Sequence, residues 1–159
     1  MFCATHLSLV DAFQLVSQSL RFLSTAIRSG YYKSLFSSKE VINSLVQAVV
    51  IPNVALREHE AEQFEDDPLE YIRVDLAVSS TGTDLATRRQ AAGDVLQALV
   101  SSGYEAEATD IVGAWINTGL SQYNSNPQEQ WKAKDSAIYL LASVATRGST
   151  SQVRAALLM

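Results

Sequence analysis

"LQALVSSGYEAEATDIVGAWI", residues 96–116, decides the fold. An apolar helical stretch ends on Ser-Ser-Gly, and a second begins at once. Gly103 stands where a left-handed C-terminal cap belongs. Beyond it Ile111, Val112, Trp115 and Ile116 recur at helical spacing and line one face. Helix, tight turn, helix is the unit, and the rest of the chain repeats it.

Upstream of the turn a helix extends from about Leu85 to Ser101 and buries Leu85, Ala92, Val95, Leu96 and Leu99. Downstream, one extends from about Tyr104 to Tyr123 and buries Ile111, Val112, Trp115, Ile116 and Leu120. Asn126-Pro127-x-Glu129 then combines a cap residue, a proline and a first-turn acid, the grammar of a helix start. That helix buries Trp131, Ile138, Leu141 and Val144 and stops at Gly148. Toward the N-terminus, Val10, Phe13, Val16, Leu20, Leu23 and Ile27 step by three or four through a helix from about residue 5 to Arg28. Ser37-x-x-Glu40 reads as a capping box for a second helix, through Val50, that Pro52 ends.

Gly103 and Gly148 lie 45 residues apart, within the span of a HEAT or armadillo unit. The fold class is all-α, a HEAT-type solenoid segment of antiparallel helix pairs. A compact helical bundle gives nearly the same pattern. The final stretch, Gln152 to Met159, starts a helix that the chain does not finish, which favours the solenoid. The expected organisation is 1–52 as a first helix pair, 53–84 as an acidic insertion with a short helix and linker, 85–148 as further HEAT-type helices, and 149–159 as the start of another.

Composition agrees with a folded helical protein. The 159 residues are 47% apolar and 18% charged, with 7 glycines and 3 prolines. Net charge is −5, and of the 12 basic residues only Arg88 and Arg89 are adjacent. A nucleic-acid groove needs a clustered positive face, so that class is disfavoured. Cys3 is the single cysteine, which excludes a disulfide framework and a multi-cysteine zinc site. No apolar run reaches membrane-spanning length, and residues 1–20 lack the pattern of a signal peptide. The expected setting is cytosolic or nuclear.

"FEDDPLEYIR", residues 64–73, poses the functional question. Between Glu58 and Glu70 lie seven of the chain's 17 acids. Calcium loops alternate their ligands around a glycine, and this stretch has none. His59 between two glutamates lacks further zinc ligands at helical spacing. The stretch therefore reads as a solvated insertion or long loop with at most one weak helical turn. Asp67-Pro68-x-Glu70 closes it by starting a helix, whose buried face would be Tyr71, Ile72 and Leu76. Residues 78–84, "VSSTGTD", read as a flexible linker. A second reading makes the insertion a partner-binding loop, with Glu62, Glu65, Asp66, Asp67 and Arg73 as contact residues.

Catalysis finds no support. Cys3 and His6 share a helical turn without a further partner, and no glycine-rich phosphate loop is present. No cofactor or metal is expected. Three polar features read as structural. Arg88 and Arg89 begin a helix, where the dipole disfavours cations, so Asp84 or a neighbouring carboxylate must compensate. Asp135 lies on the Trp131–Ile138 seam and needs a donor, for which Arg88 or Arg89 is the expectation. Trp115 and Trp131 read as core, and Pro68 as a helix-start residue.

Four stretches carry a family resemblance: "SLRFLSTAIRSGYYKSLF", "IPNVALREHEAEQFEDDPLEYIRVDL", "TRRQAA" and "QWKAKDSAIYLLASVA". Over about residues 19–148 the chain resembles the importin-α re-exporters, the exportin-2 family within the importin-β superfamily of karyopherins. That resemblance implies a HEAT-repeat solenoid. It implies a non-enzymatic receptor that binds importin-α together with Ran-GTP, shuttles between nucleus and cytoplasm through the nuclear envelope, and meets nuclear pore proteins in transit. It also implies that this chain is the middle of a longer protein. Two departures are visible: Val74 replaces a second arginine after "EYIR", and "AVSSTGTDLA" is longer and less charged than the turn usual there. An import receptor of the same superfamily, or a HEAT-type scaffold without Ran dependence, are the competing readings.

Overall fold

The computed structural model describes residues 9–36, 38–75 and 87–145, with side chains from Gln14 onward. The Ser37 cap, Leu76, the linker at 78–84, Leu85, Gly148 and the stretch from 152 to 159 lie outside them, as do Cys3, His6 and Asp84. Among the described residues every regular element is helical.

The first helix, α1 (Leu9–Ser29), turns Leu20 and Ile27 inward, with Val16 and Leu23 partly buried. It packs on α6 (Arg88–Leu99). After a single 3-10 turn (Lys33–Phe36), α2 (Lys39–Leu45) is capped by Ser38. The Ser38 hydroxyl accepts from the Val41 amide at 3.3 Å.

Pro52 does not end this helix. α2 passes through a π turn (Val46–Val50) into α3 (Ile51–Val54), with Pro52 inside it. A proline ring collides with the carbonyl four residues back in a regular helix. The wider turn, in which the Ile51 amide reaches back to the Val46 carbonyl, relieves that collision. The helix therefore runs to Val54, and its last carbonyls lie beyond the proline.

The acidic stretch is also helical. α4 (Glu58–Asp66) holds nine residues where a loop was expected. Glu58 and Glu60 occupy its first turn, where the helix dipole favours acids. Ala61 is buried, and Phe64 meets Tyr71 edge to face with ring centres 5.7 Å apart. α5 (Pro68–Asp75) begins as expected from Asp67, whose carboxylate accepts from the Glu70 amide at 3.0 Å. Its apolar face differs from the expected one: Ile72 is exposed, and Tyr71 and Asp75 turn inward. Two turns of helix are too short for a wide stripe, so a polar pair at i, i+4 holds the element instead.

α6 is enclosed on nearly every side. Ala91, Ala92, Val95, Leu96, Ala98 and Leu99 are all solvent-inaccessible. It runs through a second π turn (Val100–Tyr104), where Gly103 takes φ 97°, a conformation that side chains other than glycine rarely adopt. That corner leads straight into α7 (Glu105–Ser125). The Asn126-Pro127 signal makes a turn rather than a first helical turn, and α8 (Trp131–Val144) begins five residues after Asn126.

α7 and α8 pack along their length through small residues. A β-carbon on Gly119 would meet the Ala133 carbonyl at 2.9 Å. The inward face of α8 is Ala137, Leu140 and Val144. Three expected core residues, Trp115, Trp131 and Ile138, are therefore displaced. Ile138 is 55% exposed and Trp115 is 40% exposed. Close packing on α7 rotates the larger Trp131–Ile138 seam of α8 away from the core.

Gly119→Ala separates helix propensity from packing. Propensity alone favours alanine by about 1 kcal/mol. Collision with a backbone carbonyl opposes it by about 1–3 kcal/mol. Urea denaturation is expected to show net destabilisation, and a more stable variant would show that α7 and α8 are not in such close contact.

Candidate functional site

The first turn of α6 is the junction of the molecule. Thr87 caps it: its hydroxyl accepts from the Gln90 amide at 3.1 Å, and the Gln90 side chain accepts from the Thr87 amide at 2.9 Å. Arg88 and Arg89 follow, 5% and 2% exposed. A cation is disfavoured at a helix N-terminus, and a buried one more so. Both guanidiniums are accordingly met by several oxygen acceptors, with the buried Arg88 Nε the one donor left unmatched among the described residues.

Arg88 reaches the C-terminal end of α3. Its Nη1 donates to the carbonyls of Pro52 (3.1 Å) and Asn53 (2.6 Å), and its Nη2 to that of Ala55 (2.9 Å). These are carbonyls that a helix end leaves without partners. Nη2 also meets both carboxylate oxygens of Glu60 on α4, at 2.9 and 2.7 Å. Burial pushes the Arg88 pKa down, with Glu60 opposing.

Arg89 gathers the remaining elements. Nε donates to the Val54 carbonyl at 3.0 Å. Nη1 donates to the Tyr71 hydroxyl (3.2 Å) and Asp75 (2.9 Å) of α5, and Nη2 to Asp135 of α8 (2.6 Å). The guanidinium also stacks on the Tyr139 ring, 4.3 Å from its centre. Burial opposes the charge on Arg89, but Asp135 and Asp75 outweigh it and raise its pKa. Burial likewise pushes the carboxyls of Asp75 and Asp135 up, with Arg89 pulling the other way. The five-residue ion network thus joins α3, α4, α5, α6 and α8.

The sequence placed Arg88, Arg89, Tyr71 and Asp135 in structural roles, and the structure brings all four to this junction. Glu60, Asp75 and Thr87 were missed. Thr87-x-x-Gln90 is a legible capping box. Asp75 follows Tyr71 by four residues, one turn on the same face. Glu60 carries no such signal, because it reads as one of many insertion acids. Trp131 is half-buried and lines an open cleft rather than the core. Pro68 is exposed at the head of α5.

The expected contact residues lie apart from the junction. Glu62, Glu65, Asp66 and Asp67 are exposed on α4 and at its end. Arg73 is paired within α5 to Glu70, at 2.6 and 2.7 Å, and that hydrogen bond lowers the Glu70 pKa. Lys132 of α8 reaches Glu58 at 2.7 Å, a second tie between the insertion and the helix pairs. Asp66, Asp67, Glu70 and Glu60 line an acidic cleft of about 400 Å³ beside Tyr71 and Asp75. Among the described residues no three His, Cys, Asp or Glu side chains are grouped to hold a metal ion.

Comparison with known proteins gives one consistent result. The chain matches the Cse1 family over residues 9–156. It is 41% identical to Exportin-2 of Drosophila melanogaster, 39% to that of Oreochromis niloticus and 38% to that of Homo sapiens, each over 138 residues. Those alignments cover 87% of this chain and 14% of the relative, so the chain spans only a small part of the curated relatives it matches. Among solved structures it matches the exportin Cse1 in its cargo-free, cytoplasmic state. That match has a TM-score of 0.73 and 40% identity, covering 87% of this chain and 15% of that one. The fold is a segment of a HEAT-repeat α-solenoid.

Removing one partner of a buried pair is expected to destabilise by about 3–5 kcal/mol, because the other charge is left unmatched. Arg89→Ala should therefore lower urea stability by that amount, and Arg89→Lys should recover little, since an ammonium cannot span Val54, Asp75 and Asp135 together. A loss under about 1 kcal/mol, the scale of an exposed pair, would contradict the junction.

Proposed function

This chain belongs to the Cse1 family, and we propose that it is a middle segment of a nuclear export receptor that carries importin-α to the cytoplasm together with Ran-GTP. The observation that supports this reading most is the 38–41% identity to Exportin-2 over 87% of the chain.

The segment works by binding rather than catalysis. Its most buried charged groups are matched to one another, which holds α4 and α5 firmly on the helix pairs and leaves the outer face of α4 to solvent. The helices α4 and α5 thereby act as an insertion mounted on the solenoid, with Glu62, Glu65 and Asp66 as its acidic outer surface. The receptor shuttles between nucleus and cytoplasm, passing nuclear pore proteins on the way. Among the described residues no helix is long and apolar enough to cross a membrane.

A receptor containing this segment is expected to capture importin-α with Ran-GTP and not with Ran-GDP. Replacing Glu62, Glu65 and Asp66 together by lysine leaves the Asp67 cap intact and is expected to weaken the Ran-GTP complex by roughly tenfold, the low end of allosteric coupling energies. Pull-down with purified components reads both. Capture that ignores the nucleotide state would overturn the export reading, and an unchanged affinity would remove the acidic surface from the contact.

A further inference from the structure

A cleft of about 680 Å³ opens between α5, α6 and α8, next to the arginine junction. Its rim is apolar: Phe64, Ile72 and Ile138 line it and stand 37%, 43% and 55% exposed. Its floor is acidic. Among the described residues Asp75, Asp94 and Asp135 line it against a single arginine, Arg89, whose guanidinium is already enclosed by Asp75 and Asp135. We propose that this cleft seats a segment of a partner protein in which a lysine or arginine is flanked by aliphatic side chains.

Three observations select that chemistry. First, among the described residues the lining holds three carboxylates, Asp75, Asp94 and Asp135, against the one guanidinium of Arg89. Asp135 keeps 36% of its side chain exposed despite its pair with Arg89. Asp94 is half-buried, and burial raises its pKa. The nearby Arg28 and Arg21 of α1 pull that pKa the other way, but the Arg28 Nη2 contact is to the Asp94 backbone carbonyl, at 3.2 Å. An incoming cation would match a carboxylate that burial otherwise disfavours. Second, the walls are rings of the kind that stack on cations. Tyr139 already carries the Arg89 guanidinium, and Lys132 lies 5.7 Å from the centre of the Trp131 ring. Third, the size fits several side chains, which an ion alone would leave mostly empty. An apolar groove between helices with a few placed polar groups is the form that receives amphipathic segments.

The chemistry argues against other occupants. A phosphate group would face carboxylates, with Arg89 turned to its own partners. A second copy of this chain carries a net charge of −5 and would meet like charge. The inference is independent of importin-α and Ran, and its test uses neither.

The probe is a short capped peptide of leucine, lysine and arginine, titrated into the 159-residue chain. Trp131 lines the cleft and Trp115 does not, so a Trp115→Phe background makes Trp131 emission the reporter. A saturable change is expected, absent with a peptide carrying glutamate in place of the basic residues. Asp94→Asn should weaken binding by about tenfold, the scale of one charge-assisted contact. Ile138→Ala should weaken it by a few-fold. Glu107→Gln with Asp110→Asn, on α7 and away from the cleft, should leave it unchanged. Circular dichroism confirms that each variant keeps its helices. The proposal is overturned by no saturable signal, by an Asp94→Asn variant that binds as well as the parent, or by equal weakening from the α7 variant, which would mean general attraction to an acidic surface. Sedimentation showing a dimer that the peptide disrupts would assign the cleft to a second copy and overturn it as well.

Discussion

Two adjacent guanidiniums in the first turn of α6 have to be surrounded by oxygen, and the rest of the structure is arranged to do so. The helix dipole and the low-dielectric interior both oppose a cation there. Matching it requires acceptors from several elements at once. The carbonyls at the end of α3, the Glu60 carboxylate of α4, the Tyr71 hydroxyl and Asp75 of α5, and Asp135 of α8 all converge on the pair. Such networks add little net stability compared with a well-packed apolar core, but they penalise every other arrangement. The network therefore sets where the insertion helices lie.

Each local departure from a simple helical pattern serves that convergence. Pro52 and the π turn before it carry the α2–α3 helix on to Val54, so its free carbonyls arrive at Arg88 and Arg89. Tyr71 and Asp75, one turn apart, give α5 a polar inner face where its apolar residues are too few to anchor it. Gly119 lets α8 approach α7 closely, which turns Trp131, Asp135 and Ile138 toward the junction and its cleft.

Much of this was legible in the residues. Periodicity placed the helices, Gly103 the corner, and Asp67-Pro68 the start of α5. The position of Asp135 on an apolar seam demanded a donor, and Arg89 supplies it. The reading failed where tertiary geometry overrides local signals. An acid-rich stretch reads as loop because its balancing cations, Arg88 and Lys132, lie far away in sequence. Pro52 reads as a stop because a π turn leaves no mark in composition. Trp115 and Ile138 read as core because large apolar residues usually are, whereas small residues set the α7–α8 contact. The cleft could not be read at all, since it depends on which face α8 presents.

The central claim is that the arginine junction locks α4 and α5 to the helix pairs as one cooperative unit. Amide hydrogen exchange followed residue by residue under native conditions tests it most directly. The account predicts that the amides of α5 and of the C-terminal half of α4 open together with the first turn of α6, at a common free energy. Exchange of α4 and α5 at unprotected rates, while α6 through α8 stay protected, would show that the insertion rests on the solenoid without being held by it.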